Sequence, residues 1–401
     1  MKFRALLIAL GLFAPGFSFF AAAAETTATE ERLARLEAQL ARIEARLSAT
    51  GSADALAPTL KEFADLEHQF GYDGKTPLSV VKVAGAETKL ALGGFVQTNF
   101  ESGPSPDTRF AGLSDRFLVR RARLFVAGAF VEDLSFKIES DFGANSLAAK
   151  TGQSGQLTDA YVSWTKLPAV SLRLGQFKTP FGYEQLMADT KIYSIERSLA
   201  NDKLTLGRQI GAMVYGEVAA KRVSYSLGAY NGTSTNVNTN DNQKYLWVAR
   251  TAAVVADTKV GDTKLKLTTG ANYFTTVDKG TFTGRRYGTG LDAQLVLGAS
   301  EFQTELLRND SHPTVGKATA ANGWSVLGAY NFTKQWQGIA RYETYDSNTA
   351  TDNTTTNEWT LGVNYLLRGD DLKLSLDYLS GSQPVPTPHG DRVIGRFQLM
   401  F

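Results

Sequence analysis

No cysteine occurs among the 401 residues, which excludes disulfide staples, thiolate catalysis and cysteine-ligated metals. Histidine is nearly as scarce. His68, His312 and His389 are the only three, and they stand too far apart in the chain to make a ligand-spaced pair. An excess of one charge sign is missing as well: 42 Lys and Arg face 40 Asp and Glu, so there is no basic stripe and no nucleic-acid partner is expected. No phosphate-cradling Gly-rich loop with Lys and Ser/Thr occurs, which leaves a nucleotide enzyme unsupported. Beyond the first two dozen residues there is no apolar run of the ~20 residues that a spanning helix needs. A chain of this kind crosses a membrane, if at all, as a closed barrel.

What is present begins with a leader. Met1 to Arg4 form a basic start, Ala5 to Phe20 an apolar stretch interrupted by Pro15 and Gly16, and Ala21 to Ala24 a small-residue cleavage site. Residues 1–24 therefore read as a secretory signal peptide. Losing Lys2 and Arg4 with it leaves the two charge signs equal in number. Residues 25–50 read as a periplasmic coiled-coil helix, because Leu33, Leu36, Leu40, Ile43 and Leu47 alternate spacings of three and four with charges around them. Two heptads are marginal alone, so a single amphipathic helix is the other reading. Residues 51–87 read as a linker and second helical piece.

From residue 88 to 401 the pattern changes to alternating runs separated by turn residues. Sixteen are expected: 90–100, 116–130, 134–142, 156–165, 170–177, 207–217, 222–230, 244–256, 263–275, 285–298, 302–309, 323–332, 336–346, 356–367, 372–379 and 392–401. An even count suits a single-chain outer-membrane barrel, and 37 Gly with 23 Phe, 15 Tyr and 5 Trp suit short strands with aromatic girdles. Connections alternate short (131–133, 166–169, 218–221, 257–262, 299–301, 333–335, 368–371) and long (101–115, 143–155, 178–206, 231–243, 310–322, 380–391). That asymmetry is the one between periplasmic turns and extracellular loops. In the run 372–379, Leu372, Leu374, Leu376 and Tyr378 oppose Lys373, Ser375 and Asp377, which places an apolar face on lipid and a polar face on a wet lumen. The last run behaves alike and ends on Phe401. Such an ending resembles that of bacterial outer-membrane barrels, whose terminal Phe is read by the insertion machinery.

Five segments carry a closer likeness. Arg116-Phe-Leu-Val-Arg-Arg-Ala-Arg-Leu-Phe-Val-Ala-Gly128, Leu157-Thr-Asp-Ala-Tyr-Val162, Gly175-Gln-Phe-Lys-Thr-Pro-Phe-Gly182, Ile195-Glu-Arg-Ser-Leu199 and Arg208-Gln-Ile-Gly211 resemble the phosphate-selective porin O/P family. The resemblance covers about residue 88 to the end and implies an all-β membrane barrel: a trimeric sixteen-stranded antiparallel porin, with a loop folded into each pore and small anions such as phosphate as solutes. The residues themselves nominate 178–206 as that loop, since it is the longest and Pro180 and Gly182 allow an inward turn. A loop that merely shields the mouth is the alternative.

Ion selectivity follows from the charges lining the narrow zone. Candidates for pore lining or constriction are Arg120, Arg121, Arg173, Lys178, Lys191, Arg197, Lys203, Arg208, Arg222, Lys264, Lys266, Arg341, Lys373, Arg392 and Arg396. Neighbours on one strand point to opposite faces, so either Arg116 with Arg120 or Arg121 with Arg123 is expected to line the wall, not both. Asp159, Asp292, Glu305, Glu343 and Asp377 also point inward, so a general pore with a mild anion preference stands beside the phosphate selectivity that the resemblance implies. A barrel-embedded hydrolase lacks a nucleophile beside any histidine. An adhesin reading of Arg368-Gly369-Asp370 is opposed by the topology, which puts that tripeptide in a short periplasmic turn, out of contact with any host surface. No catalytic, metal or cofactor residues are expected; outer-membrane lipid is the expected surrounding.

Overall fold

The computed structural model describes residues 80–82, 89–130, 133–143, 155–167, 169–280, 282–387 and 389–401. The chain divides into two units, 1–73 and 74–401. The expected signal peptide and coiled-coil helix lie outside the described residues. Within 51–87 only one segment is described, and there the expected linker or helix gives way to a short strand, β1 (Val80–Lys82), paired antiparallel with Lys89 to Ala91.

Sixteen further strands are described: β2 (Lys89–Ser102), β3 (Arg116–Phe130), β4 (Leu134–Asp141), β5 (Gln156–Leu167), β6 (Val170–Lys178), β7 (Arg208–Val218), β8 (Val223–Tyr230) and β9 (Leu246–Val260), then β10 (Thr263–Asp278), β11 (Gly284–Leu297), β12 (Ser300–Pro313), β13 (Thr319–Asn331), β14 (Trp336–Asp346), β15 (Thr355–Asp370), β16 (Leu372–Ser382) and β17 (Gly390–Met400). Each pairs antiparallel with its sequence neighbours, and β17 returns to β2, so the sheet closes into a barrel without free edges. All sixteen expected runs are strands. Closure runs through the last residue: Gly94 and Phe401 exchange two backbone hydrogen bonds, of 2.9 and 3.0 Å.

Strand parity follows the pleat. On β16, Lys373, Ser375 and Asp377 are buried inside while Leu374, Leu376 and Tyr378 are exposed outward. Outward aromatics form two bands. One holds Trp324, Tyr342 and Trp359 in edge and tilted contacts; the other holds Tyr330, Phe332, Trp336 and Tyr365 beside the short turns. Trp324 and Tyr330 lie on the same strand about 20 Å apart at the strand rise, which matches an apolar belt between two interfaces.

Two expectations are corrected. The long connection 310–322 shrinks to 314–318, because Asp310 still pairs with Ala320 and Ser311 with Thr319. Polar residues end the hydrophobic alternation there while the backbone ladder continues into water. The second correction concerns β3. Gln97 pairs with Arg121 and Thr98 with Val119, so Arg120 is the extra residue of a β-bulge. A bulge resets parity, and Arg120, Arg121 and Arg123 are all buried on the inner side.

Candidate functional site

The connection from β6 to β7, residues 179–207, leaves the rim and turns into the barrel. Gly182 makes the turn at φ 86°, and a Cβ there would meet Thr205 Cγ2 at 2.6 Å. Its N–H donates to Asn272 Oδ1 of β10 at 3.3 Å, while Phe181 packs edge-on against Phe274 with centroids 4.8 Å apart. A short helix α1 (Tyr183–Leu186) follows. A second, α2 (Leu199–Leu204), is capped by Ser198, whose hydroxyl accepts from Asn201 N. Glu184 accepts from both the N–H and the hydroxyl of Ser198, tying the two helices together.

Between the helices the chain runs as irregular backbone, whose polar groups need partners inside the barrel. The inner faces of six strands supply them. Gln97 of β2 donates to Asp189 O at 3.0 Å, Lys373 of β16 to Thr190 O and Ile192 O, and Gln398 of β17 to Thr190 O. Asn364 of β15 reaches Tyr193 O at 2.8 Å, and Asp377 accepts from Ile195 N at 2.6 Å. Arg341 of β14 donates to Ser194 Oγ and Glu196 O; Glu305 of β12 accepts from Asn201 Nδ2 at 2.8 Å and from Tyr183 N.

Two loop carboxylates concentrate the charge. Asp189 lies 2.6 Å from Arg123, 2.6 Å from Arg197 and 3.6 Å from Arg121. Glu196 pairs through both oxygens with Arg120, at 2.8 and 3.0 Å, and also meets Arg396 and Arg121. Burial alone would raise both carboxyls, but the surrounding guanidiniums hold each well below the usual carboxylate range. The β3 bulge is what allows Arg120 and Arg121 to reach the same loop.

The candidates therefore fall into groups. Arg120, Arg121, Arg341, Lys373, Arg392 and Arg396 are all buried, and their donors hold loops rather than open water. Arg392 belongs to a different loop. It pairs with Glu101 at 3.4 Å and donates to Ser114 O and Gly103 O at the two ends of the connection 103–115. That connection also reaches inward: Arg109 pairs with Asp107 and donates to Arg197 O at 2.6 Å, and Phe110 packs with Ile195, Leu379 and Ile394. Arg197 folds back within its own loop onto Glu184 O and Met187 O. Lys178 donates to Met187 O at 2.7 Å, and Arg208 pairs with Asp159 at 2.7 Å.

The remaining candidates stand apart. Lys191 and Lys203 are exposed on the inserted loop. Lys264 and Lys266 lie at the short-turn end of β10. Arg222 is exposed in the turn before β8, bonded to the carbonyls of Val254 and Val255. Arg173 is half-buried on the inner face of β6, its Nε donating to Ser163 Oγ at 2.9 Å. The anchoring acids Asp189 and Glu196, with Gln97, Asn364 and Arg109, were not among the candidates. Their partners lie as much as 301 residues away, as Gln398 does from Gln97, and no local spacing records such a pairing.

Residues 91–401 match the family described as phosphate-selective porin O and P. Porin O of Pseudomonas aeruginosa is 26% identical over 162 residues, which are 38% of this chain and 35% of that protein, so the match spans about a third of the relative's length. Among solved structures, an anion-selective porin from Comamonas acidovorans superposes with a TM-score of 0.58 at 14% identity, covering 79% of this chain and all of that one. The outer membrane channel DcaP of Acinetobacter baumannii gives 0.58 at 14% identity, covering 81% of this chain and all of its own. At such identities the likeness is one of fold.

Proposed function

The chain belongs to the phosphate-selective porin O and P family, and from that premise we propose that it is an outer-membrane diffusion channel for small hydrophilic solutes, leaning toward anions. The observation that carries this reading is the loop 179–207 held inside a closed sixteen-strand barrel. A barrel of this size encloses an aqueous lumen, and an inserted loop narrows it to the dimension at which charge and size discriminate. Membership of this family speaks for a channel rather than an enzyme.

In this reading the short turns face the periplasm, the compartment also assigned to the 25–50 segment after removal of residues 1–24, and the long loops face outward. The assembly is a homotrimer, as the OmpT of Vibrio cholerae is in its trimer form. Phe401, bonded into the closing seam, is the residue offered to the insertion machinery. The anion lean is supported by Lys191 and Lys203, exposed on the inserted loop with no carboxylate partner among the described residues, whereas Arg197 and Arg208 at its root are paired with Asp189 and Asp159. The buried arginines contribute less, because carboxylates neutralise them; this favours a general anion pore over one strictly selective for phosphate.

Purified protein in planar bilayers is expected to give stepwise conductance, with a reversal potential of anionic sign in a salt gradient. Silence where a known porin conducts would sink the channel reading. A cationic reversal potential would remove the anion lean alone.

A further inference from the structure

Arg173 differs from every other arginine that points inward from a described barrel strand. Arg116, Arg120, Arg121, Arg123, Arg208 and Arg250 each have a carboxylate within 4.0 Å, as do Arg286, Arg341, Arg392 and Arg396. Arg173 has none. Its Nε is fixed by Ser163 Oγ, so its orientation is set and its two Nη groups carry no protein acceptor among the described residues.

The surroundings of this guanidinium are aromatic. Its Cζ lies 4.2 Å from the Tyr161 ring centroid, 5.1 Å from that of Tyr215 and 5.5 Å from that of Phe177. Such contacts seat the planar guanidinium among the rings and leave its Nη edge unsatisfied. Both phenol hydroxyls are likewise without a partner among the described residues, while Tyr161 and Tyr215 are only half-buried. Asp159, two residues from Tyr161, is already engaged by Arg208 and Lys137. The local set thus offers donors and ring faces around a guanidinium that no carboxylate among the described residues neutralises.

We propose that Arg173, with Tyr161 and Tyr215, forms a lumen subsite for small organic carboxylates that carry an apolar or aromatic body. A carboxylate matches the edge of a guanidinium through two parallel hydrogen bonds, and the phenol rings give its body a surface that inorganic phosphate cannot use. The subsite rests on the channel reading for its role, since it is a resting place on the way through the pore.

The test uses benzoate, acetate and inorganic phosphate on the full purified chain, by two readouts. In bilayers, benzoate is expected to reduce chloride current at concentrations about tenfold below those of acetate or phosphate, as expected for the ring contact that the other two anions lack. In detergent, calorimetric titration reads benzoate binding without requiring conduction. Arg173→Gln is expected to weaken that binding about tenfold, and Tyr161→Phe or Tyr215→Phe to weaken it severalfold while preserving the ring. Should Arg173→Gln fail to fold, judged by loss of heat-modifiable migration, the two phenylalanine variants decide. Benzoate binding in a chain that does not conduct would sink the channel reading and leave the subsite standing. Conduction with benzoate no better than acetate or phosphate, or unaltered by these substitutions, would overturn the subsite.

Discussion

Glu196 meets three guanidiniums at once, those of Arg120, Arg121 and Arg396. Replacing it with Gln leaves buried positive charge without its counter-ion, a change that costs about 3–5 kcal/mol in comparable buried pairs. The loss falls on the loop rather than on the barrel, whose ladder does not depend on this side chain. Glu196→Gln is therefore expected to retain heat-modifiable barrel migration while hydrogen exchange over 187–198 rises and open-channel current becomes noisy. Unchanged exchange in that segment would show that the backbone bonds from Lys373, Asn364 and Gln398 suffice. The arginines of β3 were conspicuous in the sequence, yet their use was not. Alternation permits one parity to face inward, and nothing in Arg116 to Arg123 announces the bulge that turns Arg120 and Arg121 to the same side. Bulges answer to tertiary demand, here two acids on a loop some 70 residues onward, as with Glu196 and Arg120.

As an element, the inserted loop is irregular backbone satisfied by barrel walls instead of by its own helices. Its length, Pro180 and Gly182 were enough to nominate it; which strands receive it was not legible, because Gln97, Asn364 and Gln398 look like ordinary lumen polar residues. Its attachment depends on pH in a definite direction. Asp189 and Glu196 titrate well below their ordinary values of 3.8 and 4.5, so their contribution is complete above those values and is lost only as pH falls through the lower folded ones. The share of the attachment that Glu196 supplies, read as the difference in hydrogen exchange over 187–198 between the native chain and Glu196→Gln, is expected to persist from neutral down to about pH 5 and to vanish only in strong acid, below about pH 4. Disappearance of that difference already between pH 5 and 6 would contradict this assignment of the anchoring charges.

For the whole molecule, the strand count and the order of strands could be read from alternation and connection lengths alone, since a barrel has one neighbour rule. Strand ends were the weaker part, as at β12 and β13, because membrane burial writes the hydrophobic pattern and hydrogen bonding writes the ladder. Closure has its own sensitive point at Gly94, where an added Cβ would stand 2.3 Å from Arg123 O and 3.0 Å from the Phe401 ring. Gly94→Val is expected to lower the temperature at which the barrel loses heat-modifiable migration by several degrees, with a larger effect than Gly395→Val, whose added Cβ would meet only Leu376 Cδ1 at 3.9 Å. Equal effects would mean that the seam yields without cost.

The seam joins β17 to β2, and contacts such as Arg396 with Asn99 span 297 positions of chain. Contacts of such separation pay the largest loop-closure entropy and come late in assembly. Until they form, the two terminal strands present unpaired backbone edges, and the loop's anchors on β2 and β3 are split from those on β14 to β17. The bonds from Gln97 and Gln398 to neighbouring loop carbonyls straddle that split. The loop is thus a clasp across the last joint to shut, so that narrowing the passage and completing the wall become one kinetic event.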